Sequence, residues 1–149
     1  MDIIEYFVRE PKREFYVRQL AKLTKKSPTT VSKYLKDYSK KGVLVCEEKF
    51  NHLLFRTNLE NEEYKDLRNF YLSRYVKNTK SYEILTKKSE VIIFIDRIDH
   101  VELMVIGPCS INKFEKIAID VKLHYHSTIN KKLLDEILNG TKIFGTIKL

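Results

Sequence analysis

Four side chains in the last third of the chain have the types and spacing of a metal site. His100 and Glu102 stand two residues apart, and Asp120 and His124 four apart, each pair in a stretch that alternates apolar and polar residues. In a strand such pairs point to one face, and imidazole and carboxylate groups are ligands of zinc and manganese. Two neighbouring strands would bring all four together. Because an exposed polar sheet face produces the same alternation without a ligand, we expect neither a metal nor another cofactor.

Other catalytic signals are weak. The four glycines are scattered, at positions 42, 107, 140 and 145, so the sequence lacks a Walker A loop, a dinucleotide fingerprint and a Gly-x-Ser-x-Gly nucleophile elbow. Cys46 and Cys109 are too few for a disulfide framework or a zinc site of four cysteines. We expect both to be small buried apolar residues. Asp96 and Asp99 have no nucleophile pattern beside them and are typical of a polar loop.

The positive charge of the chain is concentrated in one block. The 149 residues contain 28 Lys or Arg and 20 Asp or Glu, a net charge of +8. Residues 11–41 hold ten basic and two acidic side chains, so the rest of the chain carries eighteen of each and is neutral. A concentrated basic block indicates attraction to polyphosphate. A solvated Lys-rich surface is the alternative.

The elements that position this charge are two short helices, a longer helix and a hairpin. Apolar residues share one stripe in each of the first two helices, at Ile3, Ile4, Phe7 and Val8 and at Val17, Leu20, Ala21 and Leu23. Pro11 ends the first helix. The longer helix, residues 28–41, has Ser27 as N-cap, Pro28 at its first position and Gly42 as a left-handed C-terminal cap. It buries Val31, Leu35 and Tyr38. Two short strands, 43–45 and 53–55, flank a polar tip at 47–52.

This order of elements is that of a winged helix-turn-helix, with a recognition helix at 28–41 that enters the major groove and a wing at 43–57. Short hydroxyls and lysines can reach base edges, and the other basic side chains can neutralise phosphates. The candidate DNA-binding residues are Arg18, Lys22, Lys25, Lys26, Ser27, Thr29, Thr30, Ser32, Lys33, Lys36, Lys40, Lys49 and Arg56. A three-helix packing unit without a ligand is the alternative.

The stretch EFYVRQLAKLTKKSPTTVSKYLKDYSKKGVLV resembles the winged-helix domain of archaeal transcriptional regulators. In that pattern SPTTVSKYL forms the recognition helix and GVL leads into the wing. The resemblance covers about residues 1–57 and implies sequence-specific binding to double-stranded DNA.

A helical linker is predicted at residues 58–89. Asn58 can cap a helix that runs to about Asn78, with glutamates in its first turn, and a second helix covers 81–87. The first carries a stripe of aromatic and aliphatic side chains, which is typical of a core or a dimer seam. Because winged-helix regulators commonly bind two-fold sites as dimers, we expect a homodimer.

Residues 90–149 have the composition of a small α/β domain, which makes the whole chain α+β. The pattern predicts strands at 91–95, 101–106, 119–125 and 141–149, and helices at 111–117 and 131–139. The order of elements and the ending ILNGTKIFGTIKL resemble the nucleotidyltransferase-fold domain found behind winged helices in archaeal proteins.

The sequence lacks most of the catalytic motifs of the nucleotidyltransferase fold. Active members carry Gly-Ser after the first strand, an Asp-x-Asp pair on the next and a later acid, which together hold a triphosphate and two metal ions. Here no glycine is followed by serine, the loop between the first two strands is only Asp96–Asp99, and His100 and Glu102 replace the aspartate pair. Asp120 matches the later acid. We therefore expect this domain to be inactive, and the chain not to be an enzyme.

The predicted function is that of a cytoplasmic transcriptional regulator, whose second domain binds a protein partner, dimerises or senses a signal. The N-terminal residues are charged from Asp2 onward, and no apolar run approaches the roughly 18 residues that cross a bilayer, so we expect no membrane association. The alternatives are a metal-dependent nucleotidyltransferase, an antitoxin-like module that binds an acidic protein, and a protein that binds RNA or single-stranded DNA.

Overall fold

A computed structural model describes residues 1–147 and shows an α+β fold, in which those residues form six helices and two sheets. The order is α1 (Ile3–Arg9), β1 (Phe15–Tyr16), α2 (Val17–Thr24), α3 (Pro28–Lys40), β2 (Leu44–Lys49), β3 (His52–Thr57), α4 (Glu62–Lys77), α5 (Lys80–Lys88), β4 (Val91–Asp96), β5 (His100–Ile106), β6 (Asp120–His126), α6 (Lys131–Leu138) and β7 (Thr141–Gly145). Two compact units divide within α4, as Met1–Tyr71 and Leu72–Leu149.

Local sequence rules account for the first helices. The predicted stripe of α1 is buried. In α2 Leu20 and Ala21 are buried, but Leu23 is 46% exposed, so its predicted place in the stripe is wrong. Leu23 lies at the edge of the helix face that Leu20 and Ala21 define, in the last turn of α2, where fewer neighbours can cover it.

The third helix begins at the predicted residue and ends at Lys40, one residue before the predicted end. Ser27 accepts a hydrogen bond from the Thr30 amide at 3.2 Å, and Pro28 follows it at the first helical position. Gly42 has a φ of +77° and donates its amide to the Ser39 carbonyl at 3.1 Å, as a left-handed cap does. Val31 and Leu35 are fully buried.

The first sheet has the order β1-β3-β2, and all its pairs are antiparallel. Strands β2 and β3 are longer than the predicted 43–45 and 53–55, because charged residues such as Glu47 and Arg56 pair across the ladder. The predicted six-residue tip at 47–52 is therefore wrong: the turn is Phe50 and Asn51 alone. The prediction of a buried Cys46 is also wrong, since its side chain is exposed.

Asn61, not the predicted Asn58, caps α4. The Asn61 side-chain oxygen accepts the Tyr64 amide at 2.9 Å. The Asn58 side chain instead donates to the Gly42 carbonyl at 3.0 Å, which ties the end of the hairpin to the end of α3 and holds Asn58 outside the helix.

The second sheet has the order β6-β5-β4-β7, with β5 and β6 parallel and the other pairs antiparallel. One of its faces packs against α6, through a buried cluster of apolar residues from β4, β5 and α6: Val91, Ile93, Ile95, Met104, Ile106, Leu133 and Ile137. Residues 148 and 149, the end of the predicted strand 141–149, lie outside the described part of the chain.

The helix predicted at 111–117 is absent, and this segment is irregular. Its seven residues are too few to stabilise a helix without tertiary support. Other contacts fix the segment instead: the Tyr125 hydroxyl accepts the Ile111 amide and donates to the Ile111 carbonyl, both at 2.9 Å. Phe114 is buried.

Candidate nucleic-acid interface

The N-terminus of α3 carries a side-chain cap. The Ser27 hydroxyl accepts the Thr30 amide and donates to the Thr30 hydroxyl oxygen at 2.9 Å. Ser27, Pro28, Thr29 and Thr30 are all exposed. A helix N-terminus carries a partial positive charge and free amide groups, so this end of α3 attracts anions.

One exposed stripe of α3 continues from this N-terminus. Thr29, Lys33, Lys36 and Lys40 recur at spacings of four, three and four residues, which places them on one side of the helix. All four are exposed, opposite the buried Val31 and Leu35. Asp37 is the only acidic residue in α3. The arrangement presents a hydroxyl and three ammonium groups in one row.

Ser32 lies beside this stripe, and Lys36 lies within it. Ser32 is only half exposed. Desolvation raises the pKa of the Cys46 thiol. The charge of Lys36 acts in the opposite direction, but the net change is a rise.

The remaining predicted lysines flank the start of α3. Lys25 has a left-handed conformation, with a φ of +58°, and separates α2 from α3. The Lys26 ammonium lies 5.5 Å from the centre of the Tyr34 ring, a cation–π contact that fixes its direction. Arg18 and Lys22 are exposed on α2. The two helices and their connection thus present basic side chains continuously.

The two candidate cations of the hairpin, Lys49 and Arg56, lie on β2 and β3 and both contact acidic side chains. Arg56 donates to a Glu47 carboxylate oxygen at 3.0 Å, and Lys49 lies 3.5 Å from Glu14 and 3.7 Å from Glu47. The hydrogen bond and charge of Arg56 lower the pKa of Glu47 below its ordinary value, so this carboxylate is charged at neutral pH. Both cations already have acidic partners, which weakens them as phosphate ligands.

The hairpin tip carries a residue that the sequence prediction missed. Phe50 is 90% exposed, and both Phe50 and Asn51 have positive φ, +52° and +62°. Type I′ hairpin turns require this conformation and favour Asn-Gly, because most side chains disfavour it. Because Phe50-Asn51 is not one of the favoured pairs, the sequence carries no turn signal at this tip.

A cavity of about 500 Å³ lies beside this tip. Its walls come from α2, the first residue of α3 and the hairpin, and include Arg18, Gln19, Pro28 and His52. The Tyr16 and His52 rings meet edge to face, with centroids 5.6 Å apart, and hold the tip end of the hairpin against the start of α2. The cavity therefore lies between the start of α2, the first residue of α3 and the hairpin tip.

The candidate metal ligands in the second unit come together only in part. The parallel register of β5 and β6 places His100 opposite Asp120. Glu102 lies 3.1 Å from the His100 ring nitrogen and 3.9 Å from that of His124, whereas Asp120 pairs with Lys116 at 4.0 Å. Within residues 1–147 no group of three or more histidine, cysteine, aspartate or glutamate side chains has a geometry that holds a metal ion.

Glu102 is instead the centre of a small ionic network. Its second carboxylate oxygen accepts a hydrogen bond from the Arg97 Nε at 3.3 Å. Burial raises the pKa of Glu102, but hydrogen bonds from His100 and Arg97 and the charges of Arg97 and His124 lower it overall. The carboxylate is thus held charged by the residues around it.

No helix in the described residues is both long enough and apolar enough to span a bilayer. The chain matches no protein-family model, no curated protein and no solved structure.

Proposed function

We propose that residues 1–57 are a winged helix-turn-helix that binds double-stranded DNA, and that the protein is a transcriptional regulator. The observation that carries the proposal is the exposed row of Thr29, Lys33, Lys36 and Lys40, which starts at the capped N-terminus of α3. A helix of 13 residues with one polar side and a free N-terminal end fits the major groove, where base edges differ in their hydrogen-bonding pattern.

In this proposal the basic and hydroxyl side chains around the start of α3 make two kinds of contact, with base edges and with phosphates. Lys33 and Thr29 reach base edges, since a lysine can donate to guanine and a threonine can donate or accept. Lys25 and Lys26 neutralise phosphates next to the helix N-terminus, where the partial positive charge of α3 adds to theirs. Arg18 and Lys22 of α2 meet the backbone of the same groove.

The wing contributes through its tip rather than through its cations. Lys49 and Arg56 share the carboxylates of Glu47 and Glu14. Phe50 extends beyond them, 90% exposed, in a backbone conformation that a phenylalanine disfavours. We infer that Phe50 packs against sugars or base edges in the adjacent minor groove, as apolar side chains do in proteins that bind this groove.

For the second unit we propose a nucleotidyltransferase-like domain that lacks catalytic activity. The turn between β4 and β5 supports this, because it is too short to hold a triphosphate. The Arg97 amide donates to the His100 carbonyl at 3.0 Å, and an Asp96 carboxylate oxygen accepts the Ile98 amide at 2.8 Å, so the turn closes on itself. We propose that this unit binds a protein partner or a signal.

Selection of binding sites from random duplexes, followed by salt titration of the selected duplex, tests the proposal. We expect an enriched sequence and an affinity that falls steeply with salt, since each neutralised phosphate adds roughly 0.9 to the slope of log K against log salt. Binding that is indifferent to salt contradicts the proposal. Magnesium-dependent transfer from a labelled nucleotide, lost in Glu102→Ala or Asp120→Ala, would favour the enzyme, and a stoichiometric protein partner without duplex binding would favour the antitoxin-like module.

A further inference from the structure

Strand β6 is an edge strand that carries two charged residues, Asp120 and Lys122. Its seven residues pair with β5 in continuous register, with no bulge and no proline. Lys122 is its only basic residue apart from two histidines. Edge strands with free backbone groups pair readily with another strand, and folded proteins commonly block this with charges, prolines or bulges.

The other edges in the described residues are shorter, less regular or more highly charged. Strand β1, at one edge of the first sheet, has only two residues. Strand β7, at the opposite edge of the same sheet, has a shift of register opposite Ile92 and Ile93 and ends at Gly145 with a φ of +85°. Strand β2, at an edge of the first sheet, carries Glu47, Glu48 and Lys49 in its second half. Strand β6 is the exception.

The direction of its backbone groups follows from one hydrogen bond. The His126 carbonyl accepts the amide of Gly107, the residue that follows β5, at 3.0 Å. Because backbone groups alternate along a strand, the even-numbered residues of β6 point toward β5. The amides and carbonyls of Val121, Leu123 and Tyr125 therefore point away from the sheet.

This alternation fits an antiparallel pairing of β6 with a second β6 about a two-fold axis at Leu123. In that register Leu123 lies opposite Leu123 of the second copy, and Val121 opposite Tyr125. These are the residues whose backbone groups are free, so each facing pair can exchange two hydrogen bonds. The side chains of the same residues form a half-exposed apolar row on one face.

On the opposite face one kind of pair is complementary in this register. Asp120 meets His126 of the second copy, so a carboxylate faces an imidazole donor, and Lys122 meets His124. Asp120 has only a 4.0 Å contact with Lys116, both side chains being mostly exposed, and is available for this exchange. A register shifted by one residue would place backbone groups that already bind β5 at the new interface.

We propose that two copies of this chain associate through β6, which joins two four-stranded sheets into one sheet of eight strands. The inference does not depend on the proposed DNA binding, since it rests on the edge of the second sheet alone. The two-fold axis at Leu123 places both copies of each unit in a symmetric pair.

Sedimentation velocity of the full chain without DNA, over a range of concentrations, tests this. We expect a monomer–dimer equilibrium that Leu123→Lys weakens by about tenfold or more, because two lysines would face each other across the axis. Thr141→Lys adds the same charge to an exposed position on β7 and should leave the equilibrium unchanged. A chain that stays monomeric overturns the proposal, and β6 would then be free to pair with a strand of another protein. A dimer that Leu123→Lys does not weaken also overturns it.

Disulfide crosslinking provides a second test, which does not depend on whether the Leu123→Lys protein folds. In a Cys46→Ser background, Leu123→Cys should form an intermolecular disulfide, since directly opposed residues have Cα atoms about 5.5 Å apart, within disulfide reach. Lys122→Cys is the matched control: the two copies would lie diagonally at about 7–8 Å and should crosslink poorly. Equal crosslinking of the two variants contradicts the register.

Discussion

The guanidinium of Arg68 donates to the carbonyl oxygen of Val8 at 2.8 Å, across 60 residues of sequence and out of contact with solvent. Four residues earlier in α4, the Tyr64 hydroxyl donates to the Phe7 carbonyl at 2.8 Å. The last carbonyls of a helix have no partner within it. Two side chains of α4 therefore complete the C-terminal turn of α1, and the Arg68 charge faces the negative end of its dipole.

Loss of this cap should destabilise the first unit. Arg68→Leu keeps much of the apolar volume but leaves the buried Val8 carbonyl without its donor, which costs about 1–3 kcal/mol of unfolding free energy. Urea denaturation followed by circular dichroism measures it. Lys65→Ala, which removes only an exposed 3.4 Å pair with Glu62, should change stability by less than about 0.5 kcal/mol. Equal losses in the two variants would contradict a capping role for Arg68.

The boundaries of α3 could be predicted from the sequence, and the role of Arg68 could not. Ser27, Pro28 and Gly42 act through the backbone within four residues of themselves, so their types alone indicate their positions. Arg68 acts on a carbonyl 60 residues away, and a basic residue in a helix ordinarily indicates a solvated face. Only the packing of α4 against α1 shows that Arg68 is buried and binds a carbonyl rather than lying on a solvated face.

Ser27 allows charge at the candidate interface to be changed without loss of the helix cap. Asparagine, aspartate and serine cap helices about equally well, so Ser27→Asn and Ser27→Asp should both unfold at nearly the native temperature. Ser27→Asp adds a negative charge beside the α3 N-terminus and should weaken duplex binding, whereas Ser27→Asn should not. Fluorescence anisotropy with a labelled duplex compares them. Identical affinities would place the DNA away from this end of α3.

Lys33 and Lys25 should differ in what they contribute to binding. Lys33→Ala should cost about 1–3 kcal/mol for the selected duplex and relax the preference at one base position. Lys25→Ala should weaken all duplexes alike and reduce the salt slope by about one unit. Lys87→Ala, an exposed lysine of α5, is the control and should change neither quantity. If Lys33→Ala weakens random and selected duplexes equally, α3 does not read bases.

For the hairpin, local rules predict that two strands form but not where they end or which residue lies exposed at the tip. The β-prone stretches at 43–45 and 53–55 predict two strands, and the polar residues at 47–52 predict the tip between them. The contact of Glu47 with Arg56, diagonally across the ladder, depends on the register of the two strands, which local residue types do not specify. The same lack of register leaves the exposure of Phe50 unpredicted.

Replacement of the tip should separate stability from binding. Phe50→Asn with Asn51→Gly installs the pair that type I′ turns favour and removes a phenylalanine from a disfavoured conformation, so we expect a gain of about 1 kcal/mol in unfolding free energy. The same variant loses the exposed ring and should bind duplex more weakly. Thermal melts and anisotropy on one preparation measure both. A variant that is more stable and binds as well as the native protein would leave Phe50 without a role at the interface.

Glu102 should make the stability of the second unit depend on pH. Its pKa in the folded protein is lowered, so its contribution is present above the unfolded value of about 4.3 and is lost as pH falls through the folded value. Glu102→Gln should therefore be less stable than the native protein at pH 7, and this difference should shrink as pH falls below about 4.3.

Urea denaturation at a series of pH values from 7 to 3 measures the effect. Glu136→Gln, an exposed residue of α6, is the matched control and should follow the native curve closely. The hydrogen bonds from His100 and Arg97 cause the expected difference, so Arg97→Gln should reproduce part of it. A Glu102→Gln protein whose difference from the native protein is the same at pH 7 and pH 3 would show that the network around Glu102 does not stabilise its charged form.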